Sequence, residues 1–215
     1  MDEETKIKEA ILKTGRLLLA KGLVRGTGGN ISVRSGDGFI ITPSGMAYDS
    51  MEAEDLVKLD FHGQVISGSR KPSIENRMHL AILAARGDVN SVVHVHSTFA
   101  TAFACARRPL AVSNDNQSAV FGGTVAVAEY APIGTEELAA NAVAALGNGT
   151  GVLLANHGSL CVGVSAEEAL FRCEMLEEFA KVALLAEIAG GAVPLTDDQA
   201  RSEAEDLQRR YGQKA

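Results

Sequence analysis

Tryptophan is absent, and aromatic residues make up only 5% of the chain. Any core must therefore be aliphatic and rich in alanine. Cysteine is also scarce. Cys105, Cys161 and Cys173 show no C-x-x-C spacing, and an odd count in 215 residues argues against a disulfide framework. The expectation is reduced, buried thiols in a cytoplasmic protein. A basic excess is missing too: 20 Lys and Arg face 27 Asp and Glu, for a formal net charge of −7. That argues against nonspecific nucleic-acid binding, which needs a basic face. It leaves open a small anionic ligand in a locally positive pocket. Apolar runs are broken by Arg, Asn, Gly or Glu well before the ~18 residues a membrane span needs, so no membrane partner is expected. The charged start, Met1-Asp2-Glu3-Glu4, begins a helix rather than a signal peptide. With no repeat, low-complexity tract or linker, residues 1–215 are expected to form a single domain.

What is present is ordinary in bulk, 46% hydrophobic and 22% charged, with glycine abundant at 22 residues. Helical spacing of Ile7, Ile11, Leu18 and Leu19 predicts an amphipathic helix from Glu3 to about Lys21, ended by Gly22. Gly26-Thr27-Gly28-Gly29-Asn30 then precedes a strand, Ile31–Arg34. This stretch is either a plain turn or a set of backbone N–H groups that cradle an anion, and spacing alone does not choose. Phe39–Thr42 reads as a strand leading into the tight turn Thr42-Pro43-Ser44-Gly45. Val57–Asp60 and Gln64–Ile66 read as a hairpin around His62-Gly63, with His62 a solvated turn residue.

A helix is predicted from Ile74 to about Ala85, with Ser73 as its N-cap and Glu75 in its first turn, where the helix dipole favours a carboxylate. The β-branched stretch Ser91–Ser97 reads as a buried strand. A helix follows over Thr98–Ala106, and Asn114-Asp115-Asn116-Gln117 reads as a polar loop. Val125–Glu129, Gly151–Ala155 and Ser159–Val164 read as strands. Thr135, Ser165 and Thr196 each cap a helix, the last running to the neighbourhood of Tyr211. Helices and strands intermix with short connections. The expected fold class is α/β of the α+β type, a central mostly antiparallel β-sheet flanked by helices.

The chemistry centres on His94-Val95-His96. Side chains alternate along a strand, so both imidazoles face one way. His157, in Asn156-His157-Gly158, ends another strand among small residues. Neutral imidazole is a common zinc ligand, and three imidazoles with or without a carboxylate suit that ion. His94, His96 and His157 are thus candidate ligands. Glu75 or His79, one helical turn apart, could add a fourth.

At this point the chain resembles the class II aldolase/adducin family, most closely its fuculose-phosphate aldolase branch. The resemblance spans nearly the whole length. It rests on Gly26-Thr27-Gly28-Gly29-Asn30, Thr42-Pro43-Ser44-Gly45, Pro72-Ser73-Ile74-Glu75, His94-Val95-His96, Asn156-His157-Gly158 and Tyr211-Gly212. It implies zinc held by His94, His96 and His157, with Glu75 as a resting ligand and proton-transfer group; manganese or cobalt would also suit the set. It makes His79 a packing or outer residue. It implies a phosphate cradle of Gly29, Asn30, Ser44, Gly45 and Ser73, a catalytic Tyr211 from a mobile C-terminus, and a homotetramer with active sites between subunits. The implied reaction cleaves a ketose phosphate to dihydroxyacetone phosphate and an aldehyde through an enediolate whose charge the metal stabilises.

Two positions depart from the pattern. Ile74 stands where the aldolases usually have a second serine, with Lys71 nearby as a candidate to compensate. Asn116 falls near the position of the aldolases' intersubunit tyrosine, and an amide is a poor general acid. A decarboxylase of a 3-oxo sugar-acid phosphate or a pentulose-phosphate 4-epimerase would use the same fold, although the epimerases typically carry Asp in place of Glu75. An adducin-like scaffold would have lost the ligands that are present here.

Overall fold

The computed structural model describes residues 2–210. Eight strands form one sheet: β1 (Asn30–Ser35), β2 (Gly38–Ile41), β3 (Val57–Asp60), β4 (Val65–Ser67), β5 (Ser91–Val95), β6 (Val127–Ala128), β7 (Gly151–Leu154) and β8 (Gly158–Gly163). Their order across the sheet is β4-β3-β2-β1-β5-β8-β7-β6. Every pairing is antiparallel except β6 with β7. The mostly antiparallel α+β sheet expected from the sequence is what forms.

Seven α-helices accompany it: α1 (Glu3–Ala20), α2 (Asn76–Ala85), α3 (Thr98–Cys105), α4 (Asp115–Phe121), α5 (Glu136–Leu146), α6 (Ala166–Ile188) and α7 (Asp197–Arg210). Two apolar layers sandwich the sheet. One joins Met78, Ile82 and Leu83 of α2 with Leu138, Ala142 and Leu146 of α5 against Val92, Leu160 and Ile41. The other joins α1, α3 and α6 through Ile11, Leu18, Phe103, Leu170 and Leu176 against Ile31, Val93 and Cys161. Period-2 alternation assigns each strand residue to one layer. The Asn30↔His94 and His94↔Leu160 pairs therefore place Asn30 and His94 on the α2/α5 face, side by side on the two central strands.

Local differences from the sequence reading have simple causes. Asn114-Asp115-Asn116-Gln117 is not a loop: the Asn114 side chain accepts the Gln117 N–H and starts α4. The same residue types favour turns and caps, so composition alone could not separate the two. Ser73 does not cap α2. Glu75 occupies the N-cap position, and the Ser73 hydroxyl accepts the Glu75 N–H at 3.2 Å. Strand β5 stops at Val95, one residue before His96. The 125–129 strand shrinks to Val127–Ala128, with Val125 bridging to Leu110. Cys161 and Cys173 are buried as expected, but Cys105 is exposed.

Candidate metal centre

Strand β5 carries His94, His96 follows directly after it, and the turn between β7 and β8 carries His157. One ligating nitrogen each from His94, His96 and His157 lies within 4.8 Å of the others. His94 Nε2 is 2.8 Å from His96 Nε2. His94 Nδ1 donates to the Ser159 carbonyl at 2.9 Å. That bond fixes the tautomer and leaves the Nε2 lone pair facing inward. Burial lowers the proton affinity of all three rings, and the proximity of His157 lowers it further at His94 and His96. Three neutral rings with lone pairs facing one another are poorly placed for hydrogen bonds and well placed for a cation.

Glu75 completes the cluster. Its Oε2 is 3.4 Å from His94 Nε2 and its Oε1 is 3.5 Å from His157 Nε2. With the rings neutral, these contacts are not ion pairs. Oε1 is buried and has no hydrogen-bond partner among the described residues. An orphaned carboxylate oxygen costs stability in a closed protein unless it faces a cation or a substrate proton. The donor set, three imidazoles and a carboxylate, fits zinc and also manganese or cobalt.

Glycines bring the backbone close enough for this. A Cβ at Gly158 would lie 2.5 Å from the Val95 carbonyl oxygen and 2.7 Å from His96 Cδ2. Gly29 has φ +75°, and a Cβ there would lie 2.6 Å from the His94 carbonyl oxygen. So part of the Gly26–Asn30 stretch serves to seat β1 against the histidine strand. Glu177 on α6 supports the same region. Its carboxylate accepts the N–H groups of Phe99 and Ala100 at 2.9–3.0 Å, pinning the start of α3 just after His96. Beyond the other end, Arg107 (φ +51°) donates to Asn156 (φ +56°) at 3.0 Å, bracing the residue before His157.

The residues of the expected phosphate cradle are less uniform. Ser44 and Gly45 are exposed, with Gly45 at φ +67° and open space around it. The Pro43–Pro72 bridge brings their turn next to Ser73. The Ser44 N–H, however, already donates to the Lys71 carbonyl, and that of Ser73 to the Thr42 carbonyl. The Asn30 side chain turns away from the turn and donates to Glu75 Oε2 at 2.8 Å. Tyr211 lies outside the described residues.

The model for the class II aldolase and adducin N-terminal domain matches residues 9–184. The chain belongs to this family. It is 38% identical over 175 residues to a 5-methylthioribulose-1-phosphate/5-deoxyribulose-1-phosphate aldolase of Rhodospirillum rubrum, covering 81% of this chain and 79% of that one. It is 36% identical over 211 residues to a 5-deoxy-D-ribulose 1-phosphate aldolase of Bacillus thuringiensis, covering 97% and 98%. Among solved structures, an L-fuculose 1-phosphate aldolase superposes with a TM-score of 0.91 at 40% identity, covering 94% of this chain and 96% of that one.

Strand periodicity pairs His94 with His96, the end of a strand singles out His157, and the resemblance chooses Glu75 over His79 as the carboxylate. The structure places Glu75 beside the rings. Sequence reasoning missed Glu177, the Ser159 carbonyl and Tyr48. Tyr48 is buried, its hydroxyl has no partner among the described residues, and its pKa is raised by burial and by the nearby Glu75 charge. No local pattern announces these residues, because each acts across a long loop.

Proposed function

We propose that this protein is a metal-dependent class II aldolase that cleaves a ketose 1-phosphate to dihydroxyacetone phosphate and an aldehyde. The convergence of Glu75 on the His94, His96 and His157 nitrogens carries this reading. The three rings and Glu75 would hold the cation, zinc by preference. A bound divalent ion supplies Lewis acidity at the substrate oxygens. The chain's own part is positional and protic. In cleavage the C4 hydroxyl loses its proton, the C3–C4 electron pair moves toward the carbonyl, and C3 regains a proton. Glu75 is the carboxyl group placed to return it, with Asn30 holding Oε2 and Oε1 left free.

The exposed turn at Ser44 and Gly45, with the Ser73 hydroxyl and Gly29 beside the site, is the proposed anchor for the phosphate. Lys71 adds a positive charge next to it. Ile74 is 63% exposed and Ile133 54% exposed. The backbone at Gly134 meets the Ile74 carbonyl so closely that a Cβ would lie 2.8 Å from it. Ile133 therefore lies in the segment that packs against Ile74, the residue before Glu75. An apolar aldehyde half is proposed from the relatives, which are named for deoxy and methylthio substrates. The active form is proposed to be a cytoplasmic homotetramer, with Tyr211 as a further proton donor.

The test is condensation of dihydroxyacetone phosphate with acetaldehyde, methylthioacetaldehyde and glycolaldehyde by metal-reconstituted protein. Turnover with the apolar aldehydes is expected, and loss of it on chelation. Stoichiometric metal without condensation, together with release of carbon dioxide from a 3-oxo acid phosphate, would instead identify a decarboxylase. Glu75→Gln is expected to keep most of the metal and lower turnover by roughly 10²–10⁴-fold. Near-normal turnover in that variant refutes its assigned role.

A further inference from the structure

His79 is fully buried on α2, yet it is polar and lies outside the cluster of three rings. Its Nδ1 is 2.7 Å from the Ser32 hydroxyl, and its Nε2 is 2.5 Å from Asn30 Oδ1. Asn30 Nδ2 is in turn 2.8 Å from Glu75 Oε2. These three contacts have only one consistent direction. A carboxylate accepts, so the Asn30 amide nitrogen must face Glu75 and its oxygen must face His79. His79 then carries its proton on Nε2 and accepts the Ser32 hydroxyl proton on Nδ1. Burial holds this ring neutral, its pKa lowered to about 3. Asn30 and Ser32 lie two residues apart on β1, on the sheet face that packs against α2 and its His79, and Asn30 pairs with His94 on the neighbouring strand.

We propose that His79 is a positioning residue for Glu75, acting through the orientation of the Asn30 amide. An asparagine side chain can turn over and present its oxygen instead of its nitrogen. With oxygen toward oxygen, Glu75 Oε2 would lose its donor and meet a lone pair. The flip would also force the His79 proton onto Nδ1 and take from the Ser32 hydroxyl the acceptor it has here. The chain from Ser32 to Glu75 thus sets one carboxylate orientation, with Oε2 restrained and Oε1 directed at the ring nitrogens. This explains why a buried histidine is present on a helix whose other buried residues are Met78, Ile82 and Leu83.

The test uses His79→Gln and His79→Leu beside the wild type. Glutamine can present an N–H near the former Nε2, and leucine cannot. Two readouts are taken: affinity of the metal-free protein for zinc alone by calorimetry, and steady-state kinetics at saturating metal. Only the kinetic readout rests on the aldolase reading. For His79→Leu the expectation is about 10-fold weaker zinc binding and a kcat lowered by about 10–100-fold, the scale for outer partners of a metal site. Its KM should stay within about twofold, because a fully buried residue touches no substrate. His79→Gln should recover most of both losses. A purely structural role predicts that melting temperature falls while zinc affinity and kcat of the folded protein do not. Equal zinc affinity in all three proteins overturns the proposal, as does a glutamine variant no better than leucine. A wild type without condensation activity, but with the expected affinity order, would overturn the aldolase reading and support the positioning role.

Discussion

Position 158 has room for a hydrogen atom and nothing larger. A methyl group there meets the Val95 carbonyl oxygen and the His96 ring at less than van der Waals distance. Gly158→Ala is therefore expected to weaken zinc binding and to destabilise the fold by about 1–3 kcal/mol, the usual cost of overpacking. Calorimetry and thermal unfolding read the two effects, and unchanged zinc affinity would contradict the tight seat. Protonation is the other residue-scale lever. His79 titrates at about 3 in the fold, against an ordinary value of 6.5. Between those values the unfolded chain binds a proton that the folded chain refuses. Stability is thus whole above the unfolded value and is lost as pH falls below it, by about 1.4 kcal/mol per pH unit for one such group. His94, His96 and His157 are shifted in the same direction and steepen the slope. Metal-free protein should show a lower urea midpoint at about pH 5.5 than at about pH 7.5. Equal midpoints would mean that the rings do not gather as described.

Among the elements, α3 depends on a residue far away in sequence. Glu177 reaches from α6 to satisfy two N–H groups at its start, where a carboxylate also opposes the helix dipole favourably. Glu177→Ala is expected to cost about 1–2 kcal/mol, the range for a lost cap. Denaturant unfolding measures it, and a neutral result would show that the contact carries no weight. The sequence announced α1, α5 and α6 well, because each joins a side-chain cap to an apolar stripe or run. Thr135 and Ser165 accept the expected N–H, and Asp2, which the reading of the sequence did not name as a cap, caps α1 in the same way. It failed at Ser73, where the turn before α2 is shaped by the Pro43–Pro72 bridge rather than by local preference. His94 and His157 are 63 positions apart and meet because β5 pairs with β8. Their types were visible in the sequence, but their shared focus depended on the pairing of strands.

At the scale of the whole molecule, α6 exposes Val182, Leu184, Leu185 and Ile188. Such an apolar row on a long helix favours burial against another copy. The proposed tetramer predicts a sedimentation coefficient well above a monomer's, reduced when Leu185 and Ile188 are both changed to Glu. A wild type that sediments as a monomer would remove the tetramer. The order of strands has a different consequence. All three rings and Glu75 gather around β1, β5 and β8, while the β3–β4 hairpin closes the far border beyond β2. Its His62–Gly63 tip nevertheless lies against Leu80 and shares a cavity with Asn76 and Arg77 of α2, the helix that starts just after Glu75. A bulky graft at that tip would therefore press on α2 and, through it, on the carboxylate at the middle of the sheet.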